Sequence, residues 1–408
     1  MKIAIVHSFY RSDQPSGENI AVAEQMRLLR QAGHEVLLVQ ANSDNIRNTP
    51  SAKVRVAVDV ARGEGLDPSE SLRAFRPDVV HLHNLFPNIG ERWLSTWPGP
   101  IVTTLHNFRL SCDNGLHLRD GRVCFDCDIH RWSGLRHRCY RNSALATLPV
   151  SWRNRLDPTR RPQIKSAAAV VALSPNAADV FRHWGVAQDR IHLIPHSVPE
   201  VAGASGPQPA HTPAGEPNLE RASAVGPPQA ARPGSRKGPR NRWLMFGRLS
   251  GEKGLASLVE LWPIEHQLDI VGDGPLADQL RAISPASVHL LGGEPRLELL
   301  TRLKDSQYAG AVFAGKAIEG GYTLAAVEAM AAGLPLITET SCAASQLVRQ
   351  YGCGVEFDPT CGSLEAALEQ CSANHTDYAG AAIAGFKSNF TQEVWLERMQ
   401  GLYDKVTG

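Results

Sequence analysis

Between residues 318 and 330 the chain combines a pair of glycines with a carboxylate on a predicted helix. A short apolar run, residues 310–313, predicts a strand before it, and an Ala-, Leu- and Met-rich stretch up to Gly333 predicts a helix after it. Such a connection presents free backbone N–H groups at a helix N-terminus, which suits a phosphate. Glu328, inside the helix, could accept hydrogen bonds from sugar hydroxyls. The alternative interpretation is an ordinary tight connection with a solvated glutamate.

Two cations follow another predicted strand, residues 243–246. Arg248 and Lys253 lie five residues apart in a glycine-containing loop that leads into a helical stretch. An arginine can bind two phosphate oxygens at once, and a lysine adds a point charge. Without a surrounding motif, a solvated basic loop is the explanation of these two residues.

Length and composition exclude several classes of protein. The 408 residues are enough for two or three domains, and a formal charge of +1 gives no general attraction to nucleic acid or membranes. The opening residues turn polar too soon for a signal peptide, and no run approaches the roughly 20 apolar residues of a membrane span. We therefore expect a soluble, cytoplasmic protein.

Apolar runs alternate with helical stretches in two parts of the chain, which predicts parallel sheets covered by helices. The predicted strands are residues 2–6, 36–39, 78–81, 101–104 and 168–171, and then 243–246, 268–271, 288–291, 311–313, 334–337 and 354–357. Between these parts, Ala, Gly, Pro and Ser dominate residues 201–240, as in a flexible linker. We predict an N-terminal domain (1–198), a linker (199–241), a C-terminal domain (242–390) and a final helix (391–408).

Several motifs, in order along the chain, resemble the retaining glycosyltransferases of family 4. In the second part they are residues 246–254, 271–275, 319–330 and 332–335, and in the first part Gly17 and residues 32–36, 76–83 and 194–198. The resemblance implies an α/β fold of the GT-B type, with two Rossmann-like doubly wound domains facing across a cleft. It also implies a nucleoside-diphosphate sugar bound mainly by the C-terminal domain and an acceptor bound by the N-terminal domain.

The resemblance assigns roles to individual residues. Catalysis would need no metal ion, so positive side chains and backbone amides would stabilise the leaving diphosphate. Glu328 would bind the ribose, the amides of Thr323 and Leu324 would cap the diphosphate, and Gly17 would let the backbone approach the phosphates. The catalytic residues implied are Arg248, Lys253, His106 and Glu319, and the donor-binding residues are Gly17, Gly320, Gly321, Tyr322, Thr323, Leu324 and Glu328.

One feature departs from the family pattern. The family separates its two glutamates by seven residues, whereas eight residues separate Glu319 from Glu328. Counting back from Glu328 places Gly320 at the position of the first glutamate. Either the loop has one extra residue and Glu319 still reaches the donor sugar, or that carboxylate is missing. Ala325 also replaces a proline that often precedes the helix.

Four cysteines lie close together in a predicted insertion, residues 108–142. They are Cys112, Cys124, Cys127 and Cys139, spaced x11, x2 and x11. Four thiolates can close a structural zinc site, and the segment resembles a subset of family 4 enzymes with such a cluster. Unmetallated thiols are the alternative, and disulfides are disfavoured in the expected compartment.

From Arg131 to Lys165 the chain contains nine Arg or Lys residues and one acidic residue, Asp157. Aromatic residues are interleaved with these cations, namely Trp132, Tyr140 and Trp152. A basic, aromatic segment on the acceptor side suits peripheral contact with an anionic lipid surface or a pyrophosphate-linked lipid acceptor. A solvated basic surface is the other interpretation. Nucleic-acid binding is disfavoured, because no recognition fold accompanies the segment.

These observations predict a glycosyltransferase that acts on a glycan or lipid-linked acceptor in surface polysaccharide assembly. A nucleotide-sugar epimerase of the same fold is an alternative, and it would release free nucleotide without any acceptor. A non-catalytic nucleotide-sugar-binding protein is another, suggested by the displaced Glu319. A NAD-dependent dehydrogenase is disfavoured, because no G-x-G-x-x-G follows the first predicted strand.

Overall fold

The computed structural model describes residues 1–10, 17–45, 49–200, 241–304, 307–315 and 320–408. Glu319 and nearly all of the predicted linker lie outside these residues, so what we inferred about them stays a prediction.

The described residues up to 200 contain one large parallel sheet and a small ribbon. The strands are β1 (Lys2–Phe9), β2 (Glu35–Asn42), β3 (Val79–Leu82), β4 (Ile101–Thr104), β5 (Leu118–Arg119), β6 (Arg122–Val123), β7 (Ala169–Ala172) and β8 (Ile191–Leu193). The first sheet has the order β2-β1-β3-β4-β7-β8, and β5 pairs with β6 antiparallel. Six consecutive residues of β1 are buried. Such an unbroken apolar strand is typical of a sheet covered on both faces.

Helices connect these strands. They are α1 (Gly17–Gln31), α2 (Pro50–Arg62), α3 (Ser69–Phe75), α4 (Asp126–Ile129), α5 (Ser133–Arg136), α6 (Ala144–Arg153), α7 (Pro162–Lys165) and α8 (Pro175–His183). The five predicted strands of this part are confirmed. Strands β5, β6 and β8 were not predicted, because each is only two or three residues long and gives no clear alternation.

The described residues after 240 contain a second parallel sheet. Its strands are β9 (Arg242–Phe246), β10 (Gln267–Val271), β11 (Val288–Gly292), β12 (Gly310–Phe313), β13 (Leu336–Glu339) and β14 (Gly354–Phe357), in the order β11-β10-β9-β12-β13-β14. The helices are α9 (Leu255–Glu260), α10 (Ala277–Ile283), α11 (Arg296–Lys304), α12 (Leu324–Ala331), α13 (Ser345–Tyr351), α14 (Cys361–Ala373), α15 (His375–Asn389) and α16 (Gln392–Thr407). All six predicted strands are present, so the prediction of two doubly wound α/β units is confirmed.

Both sheets have a topological switch point beside their first strand. In the first sheet it lies between β1 and β3, and in the second between β9 and β12. Ligands of open α/β sheets bind outside the carboxyl ends of the strands at such points. A ligand-binding site is therefore expected in the loops after these four strands.

The last helix, α16, returns to the first sheet. Its buried residues Trp395, Met399 and Tyr403 share one apolar cluster with Ile3 and with other residues of β1. The sequence predicted this helix but not its location, because an amphipathic pattern does not say which sheet covers it. Among the helices that the structure describes, none combines the length and apolarity needed to cross a membrane.

Candidate active site

The loop after β9 carries Arg248 and Lys253 at the carboxyl edge of the second sheet. This loop packs backbone against backbone on the loop after β10. Gly272 has a φ of +152°, and a Cβ there would lie 1.9 Å from the carbonyl oxygen of Gly247. Only glycine permits so close a contact. Arg248 is exposed and Lys253 is half-buried, so the guanidinium is accessible to a ligand at the switch point.

The N-terminus of α12 lies on the other side of this switch point. Thr323 caps the helix and Leu324 is its first helical residue. The two amides predicted to cap a diphosphate therefore belong to the positive end of a helix that follows β12. The amides of Thr323 and Leu324 thus follow β12, and Arg248 follows the neighbouring strand β9.

Glu328, the fifth residue of α12, has a partner that the sequence did not reveal. Its carboxylate is 7% exposed and lies 2.6 Å from Nη2 of Arg296, on α11. Burial raises the pKa of Glu328, and the charge of Arg296 opposes that rise. Arg296 therefore favours the ionised carboxylate, the form that accepts hydrogen bonds from a ribose.

The glycine pair before α12 touches the first sheet. A Cβ on Gly320 would lie 2.2 Å from the carbonyl oxygen of His106, and Gly321 forms an isolated parallel bridge with Leu173. Any side chain at Gly320 would therefore clash with the backbone of the first unit. By contrast, a Cβ on Gly17 would make only an ordinary contact with Leu324, 3.6 Å away. Contacts within the protein thus explain Gly320, whereas approach to a phosphate remains the explanation predicted for Gly17.

The side chain of Tyr322 belongs to the core of the second unit. It is 7% exposed, its ring packs edge-on against Phe390, and its hydroxyl donates to Oε1 of Gln350 over 2.6 Å. A donor could therefore meet the backbone of Tyr322 but not its hydroxyl in this arrangement. The donor contact predicted for this residue stays a prediction.

His106 belongs to a row of histidines at the carboxyl edge of the first sheet, in which His83 is buried and His106 and His196 are half-buried. Its Nε2 lies 2.9 Å from Nδ1 of His83, and its Nδ1 lies 3.3 Å from Nε2 of His196. His196 is bonded in turn to Gln25, with 3.2 Å between Nδ1 and the amide nitrogen. Burial lowers the pKa of all three histidines, so each ring is neutral near pH 7. Both nitrogens of His106 are engaged here, and its backbone rather than its ring meets the glycine loop.

A small cavity of about 30 Å³ opens beside these histidines. It is lined by the ends of β3 and β4 together with Glu18, Arg109 and Gln163. Burial raises the pKa of Glu18 to about 8, although Arg109 and a hydrogen bond from Tyr10 act to lower it. Glu18 was not predicted as a site residue, since its burial depends on contacts with other parts of the chain.

A buried ion cluster supports one wall of the cavity. Glu91 accepts hydrogen bonds from Arg153 and from Arg161, the latter over 2.9 Å. Burial would raise the pKa of Glu91, but the two guanidinium groups outweigh it and hold the pKa at about 2. Two of the nine cations between residues 131 and 165 are therefore internal.

The four clustered cysteines have free thiols. Cys112 and Cys127 are buried and hydrogen-bonded to each other, whereas Cys124 and Cys139 are half-buried. Across the described residues, no group of three or more potential ligands is arranged to hold a metal ion. The thiols have the right chemistry for zinc, but they do not converge on one point here. The zinc site therefore stays a prediction.

A larger cavity, about 510 Å³, lies at the opposite edge of the first sheet. Arg76, Pro77, Trp97 and Pro98 line it, just before β3 and β4 begin. It contains none of the predicted site residues, so size alone does not identify the site.

Two family models match the sequence. Residues 15–200 match the family described as Glycosyltransferase Family 4, and residues 229–379 match the family described as Glycosyl transferases group 1. No curated protein matches the chain.

Solved structures resemble this chain over nearly its whole length. HepE from Anabaena in complex with UDP has a TM-score of 0.56 at 15% identity, with 99% of this chain and 100% of that chain covered. The lipopolysaccharide outer core galactosyltransferase WaaB has a TM-score of 0.58 at 15% identity, with 99% and 100% covered. Sucrose-phosphate synthase from Thermosynechococcus elongatus has a TM-score of 0.59 at 14% identity, with 99% and 98% covered. These likenesses confirm the predicted GT-B fold.

Proposed function

This chain belongs to the GT-B glycosyltransferases of the family 4 type, and we propose that it is a retaining enzyme of surface polysaccharide assembly. It transfers a sugar from a nucleoside-diphosphate donor to a hydroxyl group of a glycan or a lipid-linked acceptor. The observation that carries the proposal is the convergence at the second switch point. Arg248, Lys253 and the N-terminus of α12 all follow β9 or β12 there.

The proposed reaction exchanges one bond for another on the same face of the sugar. The bond between the anomeric carbon and the diphosphate oxygen breaks, while the acceptor oxygen attacks from the side of the leaving group. The acceptor proton passes to the departing phosphate oxygen. Negative charge develops on the diphosphate, and Arg248, Lys253 and the α12 amides stabilise it, an effect of several kcal/mol in comparable sites. We propose that this charge stabilisation replaces a metal ion.

The related structures direct the choice of donor. HepE is seen in complex with UDP-glucose, and WaaB is a galactosyltransferase of the lipopolysaccharide outer core. Uridine diphosphate hexoses are therefore the first donors to test, with a glycan or lipid-linked glycan as acceptor.

We also propose that the enzyme is cytoplasmic and makes peripheral contact with the inner face of a membrane. Support comes from α6, whose Leu145, Leu148 and Trp152 are exposed although the helix is apolar. Leu145 is 84% exposed. Exposed cations precede and follow this helix in the chain, among them Arg136, Arg138, Arg141 and Arg155, and the guanidinium of Arg155 lies over the Trp152 ring. Apolar and aromatic side chains among cations are typical of surfaces that bind anionic lipid.

One experiment tests the proposed reaction. The enzyme is incubated with UDP-hexoses and a membrane extract, and nucleotide release and the anomeric configuration of the product are measured. We expect acceptor-dependent release of UDP and a product with the configuration of the donor. An inverted product would contradict the retaining mechanism. Nucleotide release without an acceptor would favour an epimerase, and donor binding without turnover would favour the non-catalytic alternative.

A further inference from the structure

The small cavity of the first unit is surrounded by buried polar atoms that have no hydrogen-bond partner among the described residues. Folded proteins satisfy more than about 90% of such atoms, so several around one cavity require an explanation. They are Glu18 Oε1, His83 Nε2, Asn84 Nδ2, Arg109 Nε and Arg153 Nε. All five residues line the cavity, and unpaired donors and an acceptor on residues around one cavity are the pattern expected around a hydroxyl-bearing ligand.

Among the ring nitrogens of His83, His106 and His196, only Nε2 of His83 has no hydrogen-bond partner among the described residues. A neutral imidazole has one donor nitrogen and one acceptor nitrogen. If the amide of Gln25 donates to His196, then His196 donates to His106, His106 donates to His83, and Nε2 of His83 carries a hydrogen. If the Gln25 amide is turned over, every bond reverses and Nε2 of His83 becomes an acceptor. A hydroxyl group can bond to Nε2 in either state.

His83 is a buried residue at the cavity with one unpartnered ring nitrogen, as a ligand contact requires. Its side chain lines the cavity and the residue is 1% exposed, while Nε2 is without a partner among the described residues. Its other nitrogen is already held by His106. The ring is therefore fixed in orientation, and the energetic cost of leaving Nε2 unpaired favours a polar group beside it.

Glu18 supplies a second contact. Its side chain is 10% exposed, and its Oε1 lies 4.0 Å from Nδ1 of His7, too far for a hydrogen bond. A carboxylate oxygen accepts a hydrogen bond from a hydroxyl group, and a protonated carboxyl group donates one, so either form can hold a sugar hydroxyl.

The size and position of the cavity define what enters it. About 30 Å³ accommodates one or two water-sized groups rather than a whole sugar ring. The cavity lies at the carboxyl ends of β3 and β4, and His106 borders it while its carbonyl oxygen touches the donor-side loop at Gly320. A group bound here would thus be part of a molecule held on the acceptor side of the glycine loop.

We propose that this cavity is an acceptor subsite, in which His83 Nε2 and Glu18 Oε1 bind a hydroxyl or hydroxymethyl group of the acceptor sugar. The subsite rests on the proposed glycosyltransferase function and adds the residues that select the acceptor. It gives the row of histidines a role in orienting His83.

The test uses methyl hexosides as probes of the histidine signals. The full-length enzyme is labelled with ¹⁵N-histidine, His83 is assigned with the His83→Gln variant, and methyl glucoside, galactoside, mannoside and N-acetylglucosaminide are titrated in the presence of UDP. We expect at least one hexoside to shift the Nε2 signal of His83 saturably. Its deoxy analogue, lacking the bound hydroxyl, should shift it less, and the signals of His266 and His289 should not move.

The Glu18→Gln variant tests the second contact, with Glu24→Gln on the same helix as the matched control. At pH 9, above the Glu18 pKa of about 8, we expect Glu18→Gln to weaken hexoside binding by about tenfold, as for a lost hydrogen bond to a charged group, and Glu24→Gln to leave it unchanged. The proposal is overturned if no hexoside moves the His83 signal or if Glu18→Gln binds like the wild type. Donor-induced thermal stabilisation is measured on the same samples. If the donor does not stabilise the wild-type enzyme, the proposed function is contradicted. If the donor stabilises it but no hexoside shifts the His83 signal, only the acceptor subsite is contradicted.

Discussion

At the scale of single residues, Arg248 and Lys253 carry the central chemical role in the proposed reaction. Their loop follows β9, and the helix that offers the Thr323 and Leu324 amides follows the neighbouring strand β12. A leaving diphosphate needs positive charge from fixed positions, because charge that is already in place costs no reorganisation during the reaction.

The first prediction concerns these two cations. We expect Arg248→Ala and Lys253→Ala each to lower kcat for sugar transfer by about 10²–10³-fold, the usual loss for one donor to a developing oxyanion. Arg281→Ala is the matched control, since Arg281 is an exposed arginine of the same unit that pairs with Asp278. Full transfer activity in both variants would contradict the proposed role.

The second prediction concerns pH and the pair formed by Arg296 and Glu328. Arg296 opposes the rise that burial causes in the pKa of Glu328. Arg296→Ala removes this opposition, so the pKa rises further and the carboxylate becomes neutral at a higher pH. We expect the acid limb of donor affinity to move to higher pH in this variant. Glu328→Gln should weaken donor binding above the pKa of Glu328, converge with the wild type below it, and abolish that limb. An unchanged pH profile in Arg296→Ala would contradict the pairing.

The sequence located candidate residues at strand ends only where a local motif defines them, and their roles stay predictions. Arg248, Lys253 and Thr323 lie in the connections after β9 and β12, and Leu324 begins α12; those strands were predicted from apolar runs alone. Arg296, Glu18 and His83 were missed, because their roles arise from contacts between distant parts of the chain. The order of residues along the chain does not show which distant residues come into contact.

At the scale of elements, α6 has two different faces. Its residues Thr147, Val150 and Ser151 are buried, and Ser151 donates a hydrogen bond to Asp113 in the loop after β4. The opposite face exposes Leu145, with Leu148 and Trp152 at helical spacing from it. An apolar stripe on the outside of a helix needs a partner, and the surrounding cations favour an anionic surface.

The third prediction tests this face with vesicles. We expect the enzyme to sediment with phosphatidylglycerol-containing vesicles and not with phosphatidylcholine vesicles. The variant Leu145→Ser/Leu148→Ser should lose most of this binding, and each of Arg136→Gln, Arg138→Gln and Arg141→Gln should cost about 1 kcal/mol.

The control for the vesicle experiment is Ile264→Ser, because Ile264 is 73% exposed but belongs to the second unit. It should bind vesicles like the wild type. If the wild type fails to bind anionic vesicles, or if it dimerises through this face instead, membrane contact is ruled out.

Elements with an unbroken apolar pattern were predictable, and elements shaped by tertiary contacts were not. The central strands of both sheets are buried on both faces, so their sequences alone identify them. The segment from residue 131 to residue 165 was seen as basic and aromatic. Its division into an internal part with Arg153 and Arg161 and an external part with Arg155 depends on the position of Glu91.

At the scale of the whole molecule, two features join the sheet units. Helix α16 follows the second sheet but packs on the first, and the glycine loop before α12 touches the carbonyl oxygen of His106. The hydroxyl of Tyr403 on α16 also lies 2.7 Å from Nδ1 of the buried His81. The two sheet units are therefore in direct contact, as the proposed reaction between a donor on one unit and an acceptor on the other requires.

The fourth prediction concerns acid stability, which the buried histidines control. Burial lowers the pKa of His7 to about 4, of His81 to about 3 and of His196 to about 4. Between pH 6.5 and pH 4 these histidines are protonated in the unfolded chain but stay neutral in the folded protein. Protonation therefore favours the unfolded chain, and stability falls as pH falls. Each contributes up to about 3 kcal/mol to the loss. Glu18, whose pKa is raised to about 8, acts in the opposite direction but is a single group.

We therefore expect the free energy of unfolding, measured by chemical denaturation, to decrease by several kcal/mol from pH 7 to pH 5. His196→Asn should reduce the slope of the unfolding free energy against pH by roughly the contribution of one proton, while substitution of the exposed His137 should leave that slope unchanged. A stability that is constant across this range would contradict the burial of neutral histidines.

The most direct test of the central claim is donor-induced thermal stabilisation of the full-length protein by UDP-, GDP-, ADP- and CMP-sugars. A ligand selective for the native state raises the unfolding midpoint. We predict a clear rise with one nucleotide class, a UDP-hexose being tested first, and a much smaller rise in Arg248→Ala and Lys253→Ala. No rise with any donor, or an equal rise in these two variants, would contradict the assignment of the second switch point as the donor site.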